Sequence, residues 1–321
     1  MNRVLWALSL AFLLDAPYLP PRTADGRPDL QGVWSFASGV PLQRPSAFAG
    51  KKFFTREEFA ARRAYTGKAL RTLATLAPVE AIGLDWVDTS LYVDDLRTSL
   101  ITYPENGRLP ATVDGVRRMI TADDLIATLN DPNDGPPGGF FSLLAAFGDG
   151  RRDSHLDFTM SERCLLGPGV PLLPNMGESY LQIIQARDHI VLVTDEFRRV
   201  IAIGEKAGKT PPRAALQSWG GTSTGRWDGD TLIVYTENFN GRTPSLAGAG
   251  DSRAKVVTER FTRTSKQGLA YSAVVVDPET FRDRVEVSVP MGAVDKHIFE
   301  SACHEGNYSL RNTLSASRRA E

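Results

Sequence analysis

From Tyr180 onward the chain alternates apolar and polar positions in short runs. YLQIIQA and IVLVTDEF flank Arg187-Asp188-His189, and RRVIAIG follows. TSTGRW and TLIVYTENF flank Asp228-Gly229-Asp230, KVVTERFTRT and LAYSAVVVDP flank Ser265-Lys266-Gln267-Gly268, and RVEVSVP and HIFESAC close the series. A period of two is what a strand shows when one face is buried. Asp-Gly between two such runs is a strong hairpin signal, because these residues tolerate the positive φ of a tight turn. The pattern predicts about nine strands roughly 8–12 residues apart, an antiparallel meander forming a barrel or a sandwich. A closed barrel is the economical solution, since it leaves no unpaired edge. Upstream, LQGVWSF at 30–36 predicts a first strand with Val33, Trp34 and Phe36 as core candidates.

Residues 37–163 have a different texture and carry the helix signals. In FFTREEFAARRAYTGKALRTLATLAP, Thr55 and Glu58 have the spacing of a capping box, and Phe54 and Phe59 that of a hydrophobic staple. A second start lies at ITADDLIATLNDP, with Thr121 as cap, Asp123 and Asp124 at the positive helix end, and Pro132 as stop. Between them DTSLYVDDLRTSLITYPENGRLP predicts an extended hairpin with a turn at Pro104-Glu105-Asn106-Gly107. The organisation expected is a signal-like segment and linker over 1–24, one mainly β domain over 25–315 with a helix-bearing insertion at 37–163, and a tail at 316–321.

Composition removes some function classes. The 321 residues carry 37 basic and 38 acidic side chains, a net charge of −1, with no long run of one sign. Nothing here favours nucleic acid or an anionic membrane as a partner. After Arg3, residues 4–14 are apolar or small, too short a run for a stable membrane span and suited to a signal peptide. The reading is export, to the periplasm or outside the cell. Exported chains tend to pair their cysteines, so a disulfide between Cys164 and Cys303 is expected, with two buried thiols as the alternative.

The candidate chemistry is sparse. Gly221-Thr222-Ser223-Thr224-Gly225 spells the nucleophile-elbow pattern of serine hydrolases. That elbow needs a strand-to-helix turn, whereas here the motif runs into a hairpin, so a serine hydrolase is a remote reading. The four histidines form neither H-x-H nor H-E-x-x-H, and no dinucleotide fingerprint or P-loop is present, so no metal and no cofactor is expected. DKHIFESACHEGNYSL, at 295–310, is the densest polar cluster, and His304 with Glu305 is a candidate acid/base pair. Its structural alternative is a polar strand end tied down at Cys303. Polar residues inside strands, among them Thr194, Glu196, Arg226, Tyr235, Glu237, Arg260 and Tyr271, are further candidates. Any charged group inside a barrel must be paired, so an Arg–Glu pair in the interior would mark the site.

PPRTADGRPDLQGVW, SERCLLGPG, GRWDGDTLIVYTENFN and ACHEGNY, spread over residues 20–315, resemble an uncharacterised bacterial family of exported proteins. That resemblance implies export and a common core, and assigns no activity or catalytic residue. More distantly, Gly32-Val33-Trp34 opening an antiparallel meander is similar to the G-x-W start of lipocalin-like proteins. There the tryptophan closes one end of a barrel that holds small apolar molecules. The long insertion after the first strand departs from that plan.

The combined expectation is a lipocalin-like antiparallel barrel capped by the insertion and enclosing a small apolar or aromatic molecule. One functional reading is a cofactor-independent acid/base enzyme, a lyase, isomerase, hydratase or cyclase. His304 and Glu305 would move the proton, and Arg226, Tyr235, Tyr308 and Trp34 would contact the ligand. The other reading is a binding or carrier protein using the same pocket without chemistry.

Overall fold

The computed structural model describes residues 18–64, 95–116, 154–155, 163–165, 169–174, 179–205, 217–300, 302–305 and 307–319. The signal-like run before Tyr18 and the helix expected after Thr121 lie outside the described residues. Among the described residues, no helix is long and apolar enough to cross a membrane.

Among the described residues, ten strands form one sheet: β1 (Gly32–Ser35), β2 (Ile101–Tyr103), β3 (Tyr180–Gln185), β4 (His189–Val193), β5 (Arg198–Ile203), β6 (Thr222–Asp228), β7 (Thr231–Glu237), β8 (Val256–Arg263), β9 (Gly268–Val276) and β10 (Val285–Ala293). Neighbours follow the order β1-β3-β4-β5-β6-β7-β8-β9-β10, and β10 pairs back onto β1, so nine strands close a barrel. The alternation that predicts strands from 180 to 293 is realised in eight of them, β3 to β10. HIFESAC is not a strand: residues 294–300 carry no ladder. The ninth strand of the wall is β1 instead.

Two features differ from a plain meander. β5 and β6 run parallel, with Ile201 opposite Ser223 and Ile203 opposite Gly225, so the sheet is mixed rather than wholly antiparallel. A parallel pair needs a crossover, so β5 and β6 are not joined by a hairpin turn. The insertion also contributes to the wall. β10 is nine residues long; its last residues pair β1 (Trp34 with Ala293), while its first pair β2 (Ile101 with Val287). The Ser288 N–H donates to Leu100 O (3.0 Å), and Arg97 Nη2 donates to Ser288 O (2.9 Å).

Parity sorts β8, β9 and β10 cleanly. On β8, Val257, Glu259 and Phe261 are buried; on β9, Leu269, Tyr271, Ala273 and Val275; on β10, Val285, Val287, Val289 and Met291. These residues and their counterparts on β3 to β7 fill the barrel. The core continues without a break into the insertion through Val40, Leu42, Phe54, Phe59 and Leu100. The helix beginning at residue 56 starts as its sequence predicts. Glu58 N–H donates to Thr55 Oγ1 (3.1 Å), Thr55 N–H donates to a Glu58 carboxylate oxygen (2.7 Å), and the Phe54 and Phe59 rings lie 6.2 Å apart.

The barrel has two unlike ends. One carries the short turns between β3 and β4, β6 and β7, and β8 and β9. Trp34 fills it: it is buried, its Nε1 donates to Leu30 O (3.0 Å), and the Arg263 guanidinium lies 5.4 Å from its ring centre. The other end carries the 238–255 connection, the 277–284 turn and residues 111–113 of the insertion, where the Arg282 N–H donates to Ala111 O (2.9 Å) and the Val113 N–H to Thr280 O (2.9 Å). Cys164 and Cys303 are joined in a disulfide, with Cα atoms 5.5 Å apart. A final helix, Ser309–Arg319, runs through position 316, where the sequence suggests a tail begins.

Candidate functional site

Charged residues that fall in phase with a strand's apolar positions are carried into the interior. β5 delivers Arg199 beside Ile201, and β8 delivers Glu259 between Val257 and Phe261. Glu259 is fully buried and Arg199 nearly so. They meet as a bidentate pair: Arg199 Nη1 donates to Glu259 Oε2 (2.6 Å) and Nη2 to Oε1 (2.9 Å). From β9, the Tyr271 hydroxyl donates to Glu259 Oε1 (2.9 Å). Thr236 Oγ1 on β7 accepts from Arg199 Nη1 (3.5 Å) and is hydrogen-bonded to Ser223 Oγ on β6 (2.9 Å). One polar network therefore links five strands across the barrel.

The chain itself reaches this network. Gly169, Val170, Pro171 and Leu172 are buried, and the Leu172 N–H donates to the Tyr271 hydroxyl (2.9 Å). One donor remains over: among the described residues, Arg199 Nε is buried without a partner. Buried polar groups are normally satisfied, so an unused guanidinium N–H inside a closed barrel is an anomaly that a ligand acceptor would resolve.

The charges are held by position. Burial alone would lower the Arg199 guanidinium, but the charge and hydrogen bonds of Glu259 outweigh it and hold the group above its ordinary value. Burial, reinforced by the Glu259 charge, raises the Tyr271 phenol well above its usual range despite the opposing Arg199. Tyr271 is thus a fixed donor to carboxylate rather than an acid or base at neutral pH.

A second group of polar residues lies at the insertion end. Lys255 precedes β8 on the parity of Val257 and Glu259, and only 1% of it is exposed. Its Nζ donates to Pro244 O (3.2 Å) and lies 4.6 Å from the Phe239 ring centre. Asp277 follows β9 on the inward parity and is also buried, accepting from Thr280 Oγ1 (2.8 Å) and Glu279 N–H (3.2 Å). Burial lowers Lys255 to about 7, against the opposing charges of Asp277 and Glu259. Next to Pro244, the Ser245 hydroxyl is buried without a partner among the described residues.

Most residues singled out by sequence lie elsewhere. His304 and Glu305 are exposed in the turn 303–305 beside the disulfide, outside the barrel wall, and Tyr308 is 69% exposed. The other three histidines, His155, His189 and His297, are exposed too. Arg226 and Tyr235 face outward from β6 and β7 and touch each other, Arg226 Nη2 donating to the Tyr235 hydroxyl (3.5 Å). Arg260 is also outward, 3.9 Å from Asp228. Trp34 is inside but committed to the closed end. Of the polar strand candidates, Tyr271 is the one that joins the interior network.

The G-x-S-x-G stretch is strand, and its glycines have structural reasons. Gly221 has φ +70° at the entry to β6. Gly225 faces inward, where a Cβ would lie 2.9 Å from both Ile201 Cγ2 and Ile203 Cδ1. Ser223 is buried against Thr236, and the Asp-Gly turn has Gly229 at φ +57°. An interior Arg–Glu pair is present, Arg199 and Glu259, neither of which sequence reasoning singled out. Their signal was phase: each shares parity with flanking apolar residues. Among the described residues, no cluster of His, Cys, Asp and Glu could hold a metal.

Comparison with protein-family models, curated proteins and solved structures finds no match to this chain.

Proposed function

We propose that the barrel binds a small, largely apolar or aromatic molecule bearing a neutral hydrogen-bond acceptor, with Arg199 as the group that reads it. The observation that carries this reading is the Arg199 Nε, buried inside a closed barrel without a partner among the described residues. A carbonyl oxygen is the acceptor that fits. The interior already holds two carboxylates, Glu259 and Asp277, against the Arg199 guanidinium, and burial drives Lys255 toward its neutral form, so a ligand anion would add an uncompensated buried charge. The apolar side chains around the network supply the rest of the contact. Ligand entry requires residues 169–172 to give way, because Leu172 holds the Tyr271 hydroxyl.

The test is thermal stabilisation by benzamide, which presents a carbonyl, against ethylbenzene, which does not. Wild type should be stabilised by benzamide alone. The double variant Arg199→Met/Glu259→Leu, which replaces the pair by apolar side chains, should lose the preference. Equal stabilisation by both compounds, or none by either, overturns the reading.

Acid/base catalysis, as in a lyase, isomerase, hydratase or cyclase, is the second reading. Lys255 is the observation that favours it. An amine held at about 7 takes up and returns a proton at neutral pH.

A further inference from the structure

We infer that Lys255 is a carbonyl-capturing amine: an aldehyde or ketone bound in the barrel condenses with its Nζ to form an imine. The inference rests on the binding reading above and adds the ligand's reactive group.

Four observations converge on this lysine. It is placed by strand parity on the inward face at the insertion end, with Val257 between it and Glu259 along the strand. Among the described residues it makes no salt bridge and one hydrogen bond, to a neutral carbonyl, Pro244 O, and its ammonium end lies against the Phe239 ring. A lysine kept from water without an ion-pair partner is driven toward the neutral amine, the nucleophilic form. The groups facing it are Asp277 from β9 and Glu259 from β8. Glu259 is already neutralised by Arg199 and hydrogen-bonded by Tyr271. Finally, the Ser245 hydroxyl is a buried, unpartnered donor beside the carbonyl that Lys255 touches. A carbonyl oxygen drawn to Nζ would find a hydroxyl on the adjoining residue.

The chemistry needs no co-reactant. The Nζ lone pair attacks the carbonyl carbon and the π pair moves to oxygen, giving a carbinolamine. That oxygen then leaves as water, carrying the two hydrogens of the original amine, and a C=N bond remains. A purely structural lysine would gain more from an ion pair, and Asp277, buried at the neighbouring strand end, does not form one with it. Because the 238–255 connection covers Nζ with Phe239 and Pro244, the carbonyl reaches it when that connection parts.

The experiment incubates the oxidised full-length protein with benzaldehyde and, separately, cinnamaldehyde, reduces with borohydride, and maps the modified peptides. Reduced adduct is expected on Lys255 at least tenfold above the exposed Lys266 and Lys296. For a group at about 7, the neutral fraction falls from half at pH 7 to about a tenth at pH 6, so labelling should drop roughly fivefold. The preference should vanish in urea-unfolded chain. Lys255→Arg should remove the adduct while keeping stabilisation by benzamide, which forms no imine. Uniform labelling of the three lysines, or no Lys255 adduct from a protein that benzamide still stabilises, overturns the imine and leaves the binding reading intact. Absence of both adduct and benzamide stabilisation overturns the two together.

Discussion

Replacing Glu259 by glutamine tests whether the interior network is what holds the barrel's centre. The change keeps size and shape and removes one charge. Glu259 accepts three hydrogen bonds, at 2.6, 2.9 and 2.9 Å, from Arg199 Nη1, Arg199 Nη2 and the Tyr271 hydroxyl. Arg199 is 7% exposed, so Glu259→Gln strands a guanidinium away from both water and a counter-charge. Breaking a buried pair in this way costs about 3–5 kcal/mol. At roughly 2–4 °C per kcal/mol, the melting temperature should fall by about 6–20 °C. The double variant Arg199→Met/Glu259→Leu removes both charges and should recover more than half of the loss, since apolar replacement of a buried pair is often neutral or better. Its residual deficit comes from the Tyr271 hydroxyl, left without its acceptor. The assay is differential scanning calorimetry of wild type, Glu259→Gln, the single variants Arg199→Met and Glu259→Leu, and their double. A Glu259→Gln melting temperature within about 2 °C of wild type, or a double variant that loses the sum of the singles, would refute the argument.

Three further outcomes are expected. Alkylation without reductant should label neither cysteine, and reduction should destabilise the fold by about 5 kcal/mol for a bond spanning 139 residues; urea unfolding with and without reductant measures it. Lys255 binds its proton less tightly folded than unfolded, so the unfolded state holds more protons between about 7 and the ordinary lysine value, and stability should rise with pH across that window. The slope is at most about 1.4 kcal/mol per pH unit and should disappear in Lys255→Met, as read from urea midpoints at pH 7.5 and 9.5. Gly225→Ala should cost about 1–3 kcal/mol, because its methyl meets Ile201 and Ile203 at 2.9 Å; a neutral result by chemical denaturation would mean that β5 and β6 have slack between them.

The strands were legible in the sequence because each burial pattern is local. Alternation in KVVTERFTRT and LAYSAVVVDP needs no knowledge of partners, and neither does the Asp-Gly turn or the Thr55–Glu58 box. What was not legible depended on pairing. HIFESAC alternates as well as its neighbours do, but β10 is already taken at its edge by β1 and β2, so no ladder is left for it. The parallel β5–β6 pair could not be read either, since the runs look the same in either direction. In the candidate site, the reading went to residue type and density, which favoured His304. The interior answered to phase: Glu259 and Arg199 keep step with Val257 and Ile201, whereas Arg260 and Arg226, more conspicuous in the text, are one position out. A single-residue offset separates an interior ion pair from a solvated side chain.

The shared edge of β10 sets where this protein can be shortened. Its first half is sealed by Leu100, β2 and the Arg97 side chain, all from the stretch between β1 and β3. Splicing Ser35 directly to Tyr180 would spare every other strand and still unseal Glu286–Ser288, baring backbone donors and acceptors along an apolar wall. Such a minimal barrel would offer that strip to a second copy of itself. The inserted stretch is thus a seam of the barrel, and a trimmed protein meant to stay monomeric must keep residues 97–103 or supply another strand in their place.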